Sequence, residues 1–137
     1  MERGVSERYL LDTNAASAIL RQREPVCRRA ASVPLSSLAI SAVTAGEMHY
    51  GVAKRPQATT LAKLVLEFLR YTDILPWTDD VAPHYGTLRA ALEAKGVTIA
   101  PLDLMIAAHA LAVDAILVSA DQALVQIDIL RIEDWSG

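Results

Sequence analysis

Asp12, Glu47, Asp103 and Asp121 are the residues of this sequence best placed to do chemistry together. Asp12 directly follows the apolar run Tyr9-Leu10-Leu11, and Asp121 closely follows Ala115-Ile116-Leu117-Val118. Parallel sheets place their sites beyond the carboxyl ends of strands, so acids from two strand ends can converge. Glu47 lies on the second turn of a helix that Ser41 would cap, and Asp103 lies in the first turn of a helix opened by Pro101. Both can lean over the same sheet edge. Close carboxylates resist ionising unless a cation is near. A hard divalent ion removes that penalty, prefers oxygen ligands and keeps several waters. An acid set without His or Cys partners suits Mg²⁺, with Mn²⁺ as the alternative. Such an ion can polarise a phosphate and activate a water, and a second can stabilise the leaving oxygen.

Each acid also has a simpler reading. Asp12 could only cap a helix, Asp103 could only complement a helix dipole, Glu47 could be a solvated helix residue, and Asp121 could be a turn residue. Taken singly, these readings are the stronger ones, and spacing alone leaves both open. His49, His84 and His109 have no second His at metal-ligand spacing and read as structural. Trp77 and Trp135 read as packing residues, and Cys27 as an inert thiol. Asp79 and Asp80 are explained as first-turn acids of a helix capped by Thr78.

The elements that must position the acids follow from hydrophobic pattern. Residues 9–11 read as a strand, followed by a short helix over 15–20 and a second running from Pro25 to about 31. A second strand covers 38–40, then a helix over 42–53. The next helix, 57–70, carries the stripe Leu61, Leu64, Val65, Phe68 and Leu69. A short strand at 74–75 precedes the Thr78-capped helix, whose inner face is Val81, Tyr85, Leu88 and Leu92 and which Gly96 stops. Residues 102–113 form a helix apolar on nearly all sides, 115–118 a buried parallel strand, and 129–131 a last short strand. This alternation predicts an α/β domain with a mostly parallel sheet.

A chain of 137 residues fits one domain spanning 1–137. Hydrophobic residues make up 53% and aromatics only 5%, so the core must be aliphatic and rich in Ala. A single cysteine excludes an intrachain disulfide and suits a reducing compartment. The opening MERGVSERYLLD lacks the apolar stretch of a signal peptide, and the most apolar region, 107–120, is interrupted by His109 and Asp114. A cytoplasmic protein that does not enter a membrane is expected. The net charge of -3 argues against a broadly basic nucleic-acid surface, although a cluster of four acids would account for that sign. Among Arg21, Arg23, Lys54, Arg55, Arg89 and Lys95, the pair Lys54 and Arg55 would be favoured for contact with a nucleic acid because it ends the helix bearing Glu47.

Five segments in order resemble the motifs of the PIN-domain family, and specifically its VapC-type toxins. They are Leu10-Leu11-Asp12-Thr13-Asn14, the stretch from Ser41 through Thr44 and Glu47 to Gly51, the stretch from Pro101 through Asp103 to Ala110, Leu117-Val118-Ser119-Ala120-Asp121, and Glu133-Asp134-Trp135. The match covers nearly the whole chain and departs after Asp121, where Gln122-Ala123-Leu124-Val125 lacks the Glu-Phe pair frequent in relatives. The resemblance implies a PIN-like three-layer sandwich, a central sheet of four or five mostly parallel strands with helices on both faces. It implies a metal-dependent endoribonuclease acting on RNA, often tRNA, silenced by a VapB-like antitoxin and usually a homodimer. Asp12, Glu47, Asp103 and Asp121 map onto the family's catalytic and metal-binding acids, with Asn14, Thr44 and Ser119 in support. The acid-only set points to attack by water, leaving 5′-phosphate and 3′-hydroxyl ends. The rival within the fold is a catalytically silent PIN module that binds RNA or protein. A phospho-acceptor receiver domain would need an acidic neighbour for Asp12 and a late Lys, and a haloacid-type phosphatase would need Asp where Asn14 stands.

Overall fold

The computed structural model describes residues 7–137. The first six residues of the opening segment, which bear on the signal-peptide reading, lie outside it. Five strands build one sheet: β1 (Tyr9–Leu11), β2 (Leu38–Ser41), β3 (Asp73–Leu75), β4 (Ile116–Val118) and β5 (Ile132–Glu133). Their order is β3-β2-β1-β4-β5, and every pair is parallel. The helices are α1 (Thr13–Leu20), α2 (Val26–Ala31), α3 (Ala42–Ala53), α4 (Thr59–Tyr71), α5 (Ala82–Ala94) and α6 (Pro101–Ala112). Among the described residues, no helix is long and apolar enough to cross a membrane.

Alternation along the central strands sorts the core into two halves. Leu10, Ala39 and Leu117 face a cluster with Leu88 and Leu92 of α5 and Leu104, Ile106, Ala107 and Ala110 of α6. Leu11, Ile40 and Val118 face the opposite cluster, with Ala16 of α1, Val26 of α2, Met48 of α3 and Val65 and Leu69 of α4. Helices thus cover both faces, and the sheet is fully parallel, as buried β1, β2 and β4 require. Small Ala side chains on α6 let this helix lie directly on the sheet.

Helix ends follow local chemistry. Asp12 accepts a hydrogen bond from the Ala15 amide and starts α1, and Ser41 accepts one from the Val43 amide and starts α3. Gly96, with φ of 73°, closes α5 while the Val97 amide bonds the Leu92 carbonyl at 2.9 Å. Asp114 plays the same part after α6, with φ of 56°, and Ala115 then leads into β4.

Two expected elements move. The helix expected from Thr78 begins at Ala82, and Thr78 instead closes a turn by accepting from the Val81 amide at 3.0 Å. Pro83 sets this start: it fits a first turn but would forfeit a hydrogen bond deeper in the helix. Asp79 and Asp80 therefore lie in the turn and not in the helix. The strand expected at 129–131 lies at Ile132–Glu133. Ile127 and Leu130 are buried from a loop, while Ile129 between them is 75% exposed, so the apolar run is a bend and not a strand. The stripe on α4 also divides: Val65 and Leu69 are buried, whereas Leu64 and Tyr71 border an open apolar groove with Ile19, Leu35 and Phe68.

His109 lies wholly buried in α6, with Nδ1 2.9 Å from the Ser41 hydroxyl and Nε2 without a partner among the described residues. Burial pushes its pKa below the ordinary 6.5. A base depressed in the folded state binds its proton more readily when unfolded, so stability is full above about pH 6.5 and lost as pH falls through the folded value. Melting temperature should therefore drop on acidification in wild type, and the difference from His109→Gln should shrink across that window. Parallel pH profiles of the two proteins would refute the assignment.

Candidate active site

Parallel pairing sets the site's floor. Leu11 is in register with Val118, and the Asp12 amide donates to the Val118 carbonyl at 3.0 Å, so the carboxyl ends of β1 and β4 lie side by side. Leu11 is likewise in register with Ile40 of β2, whose last residue opens α3. Asp12, Ser119 and the start of α3 must therefore meet along one edge. α6 is fixed over that edge by the Trp77 indole, which donates to the Met105 carbonyl at 3.0 Å, and by the contact of His109 with Ser41. Asp103 rides in its first turn.

Three of the acids are each pinned through one oxygen. Asp12 Oδ1 accepts from the Ala15 amide at 2.8 Å. Asp121 Oδ1 accepts from the Ala123 amide at 3.0 Å and caps the 3₁₀ turn over Gln122–Gln126. Glu47 Oε1 accepts a short bond from the Thr13 hydroxyl. The capping readings of Asp12 and Asp121 are thus correct, and each uses only one of the two carboxylate oxygens. Ser119 is 2% exposed and stands between two of these acids: its hydroxyl accepts from the Asp121 amide at 3.1 Å and opposes part of the rise in the Asp12 pKa. Thr44 is fully buried, and its hydroxyl lies 3.3 Å from that of Thr13.

The acids sense one another. Burial raises the pKa of Asp12, with Asp121 and Glu47 adding to the rise and the Ala15 amide and Ser119 opposing it. Burial also raises Asp103, followed by the charges of Asp121, Glu47 and Asp12. Each of these two acids therefore carries a neutral-pH charge that its surroundings disfavour. Among the described residues, no group of three Asp, Glu, His or Cys side chains forms a ready cage for a metal ion. The donor set itself is all oxygen, anionic and, among the described residues, without a cationic ion-pair partner, which is what a hard ion that retains its waters accepts.

The remaining predicted residues divide. Asn14 is exposed on the first turn of α1 and lines a small cavity with Ser119, Ala120 and Trp135, and it takes no part in the hydrogen bonds that fix the acids. Lys54 and Arg55 are exposed where α3 ends. Arg89 is engaged elsewhere, with Glu93 at 3.0 Å and the Tyr85 hydroxyl at 3.2 Å. Trp135 packs on Tyr9 with ring centroids 5.3 Å apart and donates to Glu133, a packing role. Cys27 is half-buried, and burial pushes its thiol pKa up, which disfavours the reactive thiolate.

Thr13 was missed by sequence reasoning. It lies between two residues that drew attention, and its role depends on a partner 34 positions away in the chain. The available signal was a hydroxyl following the strand-end acid.

A five-stranded parallel sheet in the order β3-β2-β1-β4-β5, with helices on both faces and acids at the carboxyl ends of its strands, is an α/β frame of the kind that PIN-fold nucleases use. The sequence profile of the PIN domain matches residues 9–130. The chain is 30% identical to the tRNA(fMet)-specific endonuclease VapC of Salmonella typhimurium, over 93% of this chain and 98% of that one. It is 32% identical to Ribonuclease VapC2 of Rickettsia felis, over 93% of this chain and 97% of the relative. The crystal structure of DNA-bound VapBC from Salmonella typhimurium superposes with a TM-score of 0.87 at 30% identity, covering 95% and 99% of the two chains. The chain belongs to the PIN-domain family and, within it, is a VapC-type ribonuclease of the toxin–antitoxin class.

Two outcomes are expected from this geometry. Asp12→Asn keeps a capping oxygen but removes a disfavoured charge, so it should raise the melting temperature of metal-free protein at neutral pH by a few degrees. The gain should vanish as pH falls through the raised Asp12 pKa, because wild type then neutralises itself. A lower melting temperature for Asp12→Asn at neutral pH would contradict the repulsion. Thr13→Val should lower kcat by about ten-fold, with KM little changed and activity restored in Thr13→Ser. Equal loss in both variants would show that the hydroxyl does not position Glu47.

Proposed function

We propose that this protein is a Mg²⁺-dependent endoribonuclease, with Mn²⁺ able to substitute, and that its RNA substrates include tRNA. The reading is carried by the placement of four acids from separate stretches of chain over one sheet edge, with two of them raised in pKa by burial and by the others' charge. Asp12, Glu47 and Asp103 would hold the ion, directly or through water, with Asp121 assisting. When bound, the ion would lower the pKa of a water and offset charge on the scissile phosphate. The chain's own contribution is preorganisation. The Ala15 amide, the Thr13 hydroxyl and the Ala123 amide each occupy one carboxylate oxygen and fix its partner oxygen in place. Ser119 opposes part of the rise that burial imposes on the Asp12 pKa.

In the reaction class we assign, the oxygen of water bonds to phosphorus and the bond to the ribose 3′ oxygen breaks. The 2′-hydroxyl does not react. No pair of His side chains stands at the acids to support internal attack by that hydroxyl: His109 is buried against Ser41, and His49 and His84 are exposed. Lys54 and Arg55, at the end of the helix that bears Glu47, are assigned to the RNA approach.

We infer further that the partner is a VapB-like antitoxin and that the toxin is a homodimer. Solved relatives are VapBC complexes from Salmonella typhimurium and Rickettsia felis. Exposed Leu35, Leu64 and Tyr71 beside the apolar groove give the molecule surface that association would cover. A site on 1–137 that bound RNA without cutting it would not need four acids at mutual electrostatic cost.

The test is cleavage of total RNA with Mg²⁺ and with EDTA. Products should carry 5′-phosphate and 3′-hydroxyl ends, and Asp103→Asn should lose about 100-fold or more in rate while remaining folded. Ends bearing 2′,3′-cyclic phosphate, or full activity in EDTA, would overturn the reading.

A further inference from the structure

Beyond the acids, α3 carries an aromatic side chain that the fold leaves uncovered. Tyr50 is 65% exposed although it stands one turn past Glu47. Side chains on a helix lean toward its N-terminus, so Lys54 leans back over Tyr50. The Lys54 ammonium lies 5.0 Å from the Tyr50 ring centroid. The ring is flanked by open surface, because a Cβ added at Gly46 or at Gly51 would meet nothing within 4 Å. One stretch of helix therefore presents a carboxylate, an exposed ring and a cation in succession. Glu47 and Lys54 are separated by about 10 Å along the helix axis.

This order suits a polyanion with flat bases. The four acids repel a phosphate backbone that approaches them, so a cation beside an exposed ring next to them marks a place where the strand can be held. Base stacking on aromatic side chains tolerates any base, and a neighbouring cation takes the phosphate. We propose that Tyr50 and Lys54 form a nucleotide platform: the free face of the ring stacks a base of single-stranded RNA beside the acids, and Lys54 contacts the adjoining phosphate. The inference rests on the ribonuclease reading and names how that site grips its substrate. The opposite face of the ring lies under Lys54 and stays out of the stack.

The test is equilibrium binding in EDTA, where the strand stays intact, followed by fluorescence anisotropy of a labelled short single-stranded oligoribonucleotide. Tyr50→Ala should weaken binding about ten-fold, and Tyr50→Trp should retain it. An oligonucleotide made wholly of abasic residues should bind wild type and Tyr50→Ala equally. Lys54→Gln should reduce the slope of log affinity against log salt by about 0.7, the value of one phosphate contact on a single strand. Tyr50→Ala binding as tightly as wild type would overturn the platform, as would Tyr50→Trp binding as weakly as Tyr50→Ala. Wild type that binds no single-stranded RNA would overturn it too. Failure of the ribonuclease reading has a different signature: wild type would leave RNA uncut in Mg²⁺ while the binding differences in EDTA persisted.

Discussion

Mutual repulsion among carboxylates is the constraint around which this molecule is arranged. Asp12 and Asp103 are held partly out of water and within reach of the charges of Glu47 and Asp121, an arrangement that opposes ionisation of both. Free side chains would swing apart. The fold prevents this by giving Asp12, Glu47 and Asp121 a donor for one oxygen each, and by setting Asp103 on a helix locked to the sheet. The divalent cation proposed for the site would offset this repulsion, because it would supply the positive charge that the acids lack among themselves.

The scaffold can bear that cost because its core is conventional. β1, β2 and β4 alternate their side chains between two aliphatic clusters, and Ala-rich α6 lies close on one face. The same parallel register that makes these clusters also aligns the strand ends. Asp12 and Ser119 become neighbours because Leu11 and Val118 pair. Packing and site are therefore two results of one register, and a slip of one residue would turn every inward side chain outward and scatter the acids together.

Helix capping and chemistry share residues here. Asp12 and Asp121 start a helix and a 3₁₀ turn with one oxygen each, which leaves the other outside the cap. Ser41 caps α3, the helix that carries Glu47, and also touches His109 on α6, the helix that carries Asp103. Removing a cap would thus disturb two acids at once, a coupling that neither element shows alone.

Much of this was legible in the chain. The alternation of short apolar runs with helical stripes determined the α/β class, and most elements fall within a few residues of their expected places, because burial of one face imposes a period that the side chains record. The strand-end acids and their motifs marked the family. Two features misled: Thr78 was a good cap placed ahead of Pro83, whose ring decides where α5 can begin, and Ile129 belongs to an apolar run that bends instead of pairing. Only the tertiary structure decided which oxygens are engaged, that Thr13 holds Glu47, that Asn14 faces outward, and that Tyr50 stays bare. Hydrophobic pattern reports how each segment meets water. It carries no record of which distant polar groups come within bonding distance, because those pairs form only when separate elements are packed against one another.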